Sequence, residues 1–232
     1  MDQTLSNLLQ NFSYWDGAGI ILLLLGWWGG TAMIERTHAK RPSMHALMSA
    51  YRLEWMRQML TRQPRIFDMA TLTLMRQGTA FFASGCMIAI GGCVALLGSS
   101  EQLTVLAGDI SAELISPRIV WEIKILVLML LLANGFLKFV WAMRLFGYCA
   151  IVMAAAPNDP EDAQALPMAA KAGQLANTAA KSFNRGLRSV YFSIATLTWL
   201  IGSGAFIAAT LITIWVLYRR EYASQSRGII DG

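Results

Sequence analysis

The stretch GTAFFASGCMIAIGGCVALL, residues 78–97, runs without a single charge between Arg76 and Gly98. A bilayer has a hydrocarbon core about 30 Å thick, and a helix rises about 1.5 Å per residue, so roughly 20 apolar residues cross it. Residues 78–97 have that length and carry nothing that opposes insertion. Toward the N-terminus, Gly17–Ile34, bounded by Asp16 and Glu35, forms a second such span. Toward the C-terminus, an apolar region begins near Ile119 and continues to Ala156, interrupted by Lys124, Asn134, Lys138 and Arg144. It is too long for one crossing, so the reading is a span over 119–140 followed by a cytoplasmic helical segment over 141–156. Val190–Tyr218, closed by Arg219, Arg220 and Glu221, is the fourth span and is long enough to tilt.

Composition agrees with this reading. Hydrophobic residues make up 56% of the 232 positions and charged residues 14%, against about 25% charged in soluble domains. A water-soluble, disordered or disulfide-scaffold chain is excluded. The expected fold is an all-α integral membrane protein, one membrane domain over 1–232 with four transmembrane helices and amphipathic cytoplasmic helices.

Loops rich in Lys and Arg stay in the cytoplasm. Eight such residues lie between the first two spans: Arg36, Lys40, Arg41, Arg52, Arg57, Arg62, Arg65 and Arg76. Lys171, Lys181, Arg185 and Arg188 lie between the third and fourth, just after Lys138 and Arg144. The opposite side holds only Arg118, Lys124, Arg219, Arg220 and Arg227, so both termini are expected outside the cytoplasm, in an inner membrane. The Arg219–Arg220 pair is the one discordant feature. No basic region precedes the first span, which is therefore read as retained and not as a signal peptide. Leu5, Leu8, Leu9 and Phe12, followed by Tyr14 and Trp15, fit a short interfacial helix or a frayed leader.

The connectors have helical patterns of their own. Ser43 can cap a helix over 43–63 in which Met44, Met48, Tyr51, Trp55 and Met59 form one apolar stripe, and Pro64 ends it. That basic amphipathic helix can lie on headgroups or pack on other helices. Asp68 is placed to cap the helix entering the second span. Asp159 and Pro160 open a further helix over 160–188, with Leu175, Ala179, Phe183 and Leu187 on one face, an alanine-rich surface able to approach a neighbour, and a restart or kink at Pro167.

Charges inside apolar segments need a position or a partner. Lys124 is expected to snorkel at the outer boundary. Lys138, Trp141, Arg144 and Tyr148, with Asn134 one turn above, alternate cation and aromatic along an edge, which reads as a mouth for an anion or acidic lipid headgroup, as an inner-leaflet anchor, or as ion pairs to Asp68, Glu54 or Glu35. Gly26 with Gly30, and Gly85 with Ala89 and Cys93, are small-xxx-small patterns, read first as packing within the subunit and second as a dimer seam. His38 and His45 lack companion metal ligands, and Cys86, Cys93 and Cys149 read as small apolar packers. No nucleophile elbow, zinc motif, phosphate loop or dinucleotide fingerprint occurs. No cofactor, metal or nucleic acid is implied.

The stretches Arg52-x-x-Trp55-Met56-x-x-Met59, Arg62-x-x-Arg65-Ile66-x-Asp68, Phe81-Phe82-Ala83-Ser84, Lys138-Phe139-x-Trp141-x-x-Arg144, Tyr148-Cys149, Phe183-Asn184-Arg185-Gly186-Leu187-Arg188, Tyr191-Phe192 and Leu217-Tyr218-Arg219-Arg220-Glu221 resemble the bacterial and plant membrane-protein family called domain of unknown function 599. The resemblance implies a multi-span helical protein and carries no established activity. The chain differs at Gly202-Ser203-Gly204, where relatives often have a bulkier segment. The family's recurrent polar residues fall at the inner face: Arg52, Arg62, Arg65, Asp68, Lys138, Arg144, Asn184, Arg185 and Arg188.

The expected function is a non-enzymatic membrane scaffold or accessory protein that self-associates or joins a larger membrane complex. The alternative is an oligomeric channel or carrier for small anions. A lipid-modifying enzyme centred on Asp68 ranks third.

Overall fold

The computed structural model describes residues 11–36, 42–99 and 117–231, and among them it is helical with no strand. Helix α1 spans Tyr14–Ile34, with a π-helical turn at Leu25–Gly29. Its N-terminus carries a capping box: Ser13 Oγ accepts from Trp15 N at 3.3 Å, and Asp16 Oδ2 accepts from Ser13 N at 2.8 Å. Helix α2 is Met44–Met59, α3 Ile66–Gly98, α4 Arg118–Ala155, α5 Ala165–Leu197, α6 Ser203–Tyr222 and α7 Gln225–Asp231. Helices α1, α3 and α4 are each long and apolar enough to cross a membrane.

Helix α4 is one uninterrupted helix of 38 residues, about 57 Å at 1.5 Å per residue. The predicted span over 119–140 and the segment after it are therefore a single rod. Other expectations need correction. Asp68 is the third residue of α3, not its cap, because the helix already begins at Ile66. Asp159 closes a turn onto Glu161 N at 3.0 Å, and the helix starts only at Ala165, with Pro167 in its first turn. Ser43 does cap α2: its Oγ accepts from Ala46 N at 3.2 Å and donates to Ile34 O at 2.7 Å. Leu5, Leu8, Leu9, His38, Lys40 and Arg41 lie outside the described residues.

The fourth span is not one helix. The apolar run is broken at Thr198–Leu200 by a 3₁₀ turn and at Gly202 by a φ of +158°, which L side chains rarely adopt. The chain then reverses. A Cβ on Gly26 would meet Ile214 Cδ1 at 2.6 Å and Phe192 Cε1 at 3.3 Å. A continuous helix would hold Phe192 and Ile214 about 33 Å apart. The Trp199 and Phe206 rings stack across the turn at 4.9 Å. Helices α5 and α6 thus form an antiparallel hairpin, and both of its arms lead away from the turn on the same side.

The described residues divide into two compact units, one of residues 11–32, 86–99, 117–134 and 188–218, the other of 33–36, 42–85, 135–187 and 219–231. The first is built around Leu23, Leu131, Phe192, Trp199 and Phe206, with Ile125 and Leu128 in a second cluster.

In the second unit, Met56, Met59, Leu145, Phe146 and Met153 pack on alanines 165, 169, 172, 176 and 179 of α5, every one of which is fully buried. Small residues permit that approach: a Cβ on Gly173 would lie 2.8 Å from Leu53 Cδ2. The stripe of α2 therefore packs on helices, while Tyr51 turns out to be exposed. Phe82, Phe139 and Phe183 form an aromatic triad, with Phe139 5.5 Å from each of the other two.

The C-terminal segment also belongs to the second unit. Tyr222 Oη donates to Met33 O at 3.0 Å, Arg227 Nε to Pro42 O at 3.2 Å, and His45 N to Glu221 Oε2 at 3.1 Å. These contacts place the C-terminal segment beside the end of α1 and the start of α2 within the second unit.

Candidate functional site

The polar residues of the second unit are held mainly by one another. At the end of α1, the nearly buried Glu35 accepts a two-pronged hydrogen bond from Arg185, Nε to Oε1 at 2.7 Å and Nη2 to Oε2 at 2.6 Å, while Lys181 Nζ lies 3.1 Å away. Lys181 and Arg185 sit one turn apart on α5 and so face the same carboxylate. Burial pushes the Glu35 carboxyl up, but hydrogen bonds and charge from Arg185 and Lys181 outweigh it and hold the group below its ordinary value. The same hydrogen bond raises Arg185.

Asp68 is 0% exposed. Its Oδ1 accepts from Trp55 Nε1 at 2.7 Å and from Arg62, whose guanidinium also lies over the Phe67 ring at 5.6 Å. Among the described residues Asp68 Oδ2 has no hydrogen-bond partner. Arg65 closes the C-terminal end of α4, donating to Ala156 O at 2.9 Å and to Pro157 O, which satisfies carbonyls that the helix leaves open. Beside it, Gln63, Pro64, Arg65 and Asn158 line an open groove of about 520 Å³.

Arg52 does not reach toward headgroups: it donates to Asn177 Oδ1 at 3.1 Å, and burial lowers its pKa. Asn184 meets His45 Nδ1 at 3.1 Å. In the first unit, the buried Arg188 donates to Thr31 Oγ1 at 3.0 Å.

The predicted edge is brought together only in part. Trp141, Arg144 and Tyr148 are exposed on α4, with Arg144 Nη2 donating to Tyr148 Oη at 3.2 Å. Lys138 is half-buried on the flank. Asn134 is withdrawn, since it accepts from Ser189 Oγ at 3.0 Å in the first unit. Neither cation pairs with Asp68, Glu54 or Glu35, which are engaged by Arg62, Arg57, and Arg185 with Lys181.

The small-residue patterns also divide. Gly26 is covered by Ile214 and Phe192, whereas at Gly30 and Gly85 a Cβ would meet nothing within 4 Å, and Ala89 is exposed. The three cysteines are buried thiols. Among the described residues no group of three His, Cys, Asp or Glu could hold a metal.

One polar cluster was not foreseen. Lys124 is 9% exposed and does not snorkel: its Nζ donates to Trp199 O at 3.0 Å and lies 5.7 and 5.6 Å from the Trp121 and Trp199 rings. Trp199 Nε1 in turn donates to Asp16 Oδ1 at 2.6 Å. Asp16 and Lys124 each stand out in the sequence as charges near a span's end, but joining them requires the reversal at Gly202.

Among the described residues these features define a helical protein with three helices fit to cross a membrane and a helical hairpin tied in by buried charge. The chain belongs to the family described as protein of unknown function, DUF599, whose model matches residues 18–226. No curated protein and no solved structure matches it.

Proposed function

We propose that the chain is a self-associating, non-enzymatic scaffold or accessory protein of the inner membrane. The observation that carries this reading is the outward face of α3. Gly78, Gly85, Ala89 and Gly92 recur on one side of the helix, and a Cβ at Gly78, Gly85 or Gly92 would meet no atom within 4 Å. Stripes of this kind let membrane helices approach closely and associate by packing, and none of the described residues packs closely on these glycines. The charged inner-face residues serve as internal ties, which suits a scaffold.

In this reading the N-terminus is outside, α1, α3 and α4 cross singly, and the α5–α6 hairpin returns the C-terminus to the cytoplasm. Arg219, Arg220 and Arg227 then join the basic connectors, leaving only Arg118 and Lys124 outside. That removes the discordance in the positive-inside pattern.

The test is the mass of the full chain in lipid nanodiscs. A dimer or larger assembly that Gly85→Leu with Ala89→Leu reduces to monomer supports the reading. A monomer in every lipid composition refutes it. An anion channel or carrier is the second reading, favoured by the exposed Arg144. It requires flux into liposomes that Lys138→Ala and Arg144→Ala diminish.

A further inference from the structure

In the second unit, α4 presents one outward stripe: Leu137, Trp141, Arg144, Tyr148 and Ile151 are all exposed. These positions return to the same side of a 3.6-residue helix. The stripe is apolar except at Arg144 and the Tyr148 hydroxyl, and those two groups are hydrogen-bonded to each other. Among the described residues no carboxylate lies within ion-pair distance of Arg144 or of Lys138 on the flank. The acids of this unit nearest in kind, Glu35, Asp68 and Glu54, are already engaged. Among the described residues this edge therefore has no counter-charge.

Depth along the helix points to one. From Arg118 to Leu137 the helix rises about 30 Å, the thickness of the hydrocarbon core. Trp141 and Arg144 follow within the next two turns, at the headgroup layer, where an indole sits well at the boundary and an arginine can reach back toward phosphate. Tyr148 supplies a hydroxyl beside the guanidinium.

We propose that Trp141, Arg144 and Tyr148, flanked by Lys138, bind the phosphate of an anionic phospholipid of the inner leaflet. The guanidinium matches a phosphate's two oxygens with paired N–H donors, and Lys138 adds a second, mobile charge. The site rests on the membrane-spanning reading of α4 and is independent of self-association.

Full-length protein, delipidated in mild detergent, is titrated with phosphatidylglycerol or phosphatidylcholine, and bound lipids are counted by native mass spectrometry. The same spectra report the oligomeric state, so failure of the lipid site and failure of the scaffold reading are seen separately. The wild type should retain phosphatidylglycerol more tightly than phosphatidylcholine by about fivefold for each cation engaged. Arg144→Gln and Lys138→Gln should each lower that preference, and the double variant should abolish it. Arg144→Lys should keep part of it, and Arg57→Gln on α2 should leave it unchanged. Added salt should erode the wild-type preference, a readout that stands even if a variant fails to fold. An equal preference in the double variant, no preference in the wild type, a salt-independent one, or displacement by inorganic phosphate at the lipid's own potency would each overturn the proposal.

Discussion

Gly186→Ala is expected to destabilise the second unit, although alanine is the better helix former. A Cβ at Gly186 would sit 2.7, 2.9 and 2.9 Å from three ring carbons of Phe139, where ordinary carbon contacts are about 3.5–4.0 Å. Phe139 is fully buried, stacked on Phe82 and tilted against Phe183, each 5.5 Å away, so its ring has little room to retreat. Overpacking of this kind costs about 1–3 kcal/mol, and the helix-propensity gain of glycine to alanine returns about 1 kcal/mol. The net loss is then about 0–2 kcal/mol.

Gly147→Ala is the matched control. It lies inside α4 with nothing within 4 Å of its Cβ position, so only the propensity gain applies. Unfolding in mild detergent, followed by near-ultraviolet circular dichroism, should rank Gly147→Ala above wild type and Gly186→Ala below it. A double-mutant cycle with Phe139→Leu should show coupling of about 1 kcal/mol or more, because the smaller side chain makes room. If Gly186→Ala is as benign as Gly147→Ala and shows no coupling to Phe139→Leu, the packing of α4 on α5 described above is wrong.

Glu35 gives a pH dependence. Its folded pKa lies below the unfolded value near 4.5, so its stabilisation is complete above that value and fades as pH falls through the folded pKa. Glu35→Gln should cost about 1 kcal/mol at pH 7, a figure kept small because Arg185 and Lys181 are partly exposed. The gap from wild type should shrink as pH falls below 4.5 and close below the folded pKa, and a gap undiminished there would contradict the pairing. Trp199→Phe keeps the stacked ring but removes the donor to Asp16, and should lower thermal stability by about 1–3 kcal/mol. Asp16→Asn in the Trp199→Phe background should then add little, whereas fully additive losses would argue against the bond.

Much of the fold was legible because bilayer thickness is a hard constraint. The charge-free 78–97 run lies inside α3, Ser43 caps α2, and the overlong region from Ile119 became one helix reaching Ala155. The fourth span misled because hydropathy is continuous across the turn: Trp199, Leu200 and Ile201 are as apolar as their neighbours, and only Gly202-Ser203-Gly204 signals a reversal. A rod over Val190–Tyr218 also hides the packing of the C-terminal segment against Met33 and His45.

The polar residues of the second unit were identifiable by type, but their partners were not. Arg185 finds Glu35 and Arg52 finds Asn177 across more than a hundred positions, distances at which spacing carries no information. Asn134 and Lys138 share a helical face in the sequence pattern, yet Asn134 is claimed by Ser189.

The most direct test of the architecture is the side from which the C-terminus can be reached. In a background with Cys86, Cys93 and Cys149 replaced by alanine, single cysteines at Tyr14→Cys, Arg57→Cys and Ser226→Cys are labelled with a membrane-impermeant thiol reagent in sealed right-side-out and inverted vesicles. Arg57→Cys and Ser226→Cys should react only in inverted vesicles, and Tyr14→Cys only in right-side-out ones. Labelling of Ser226→Cys from the same side as Tyr14→Cys would contradict the hairpin and the shared face it creates.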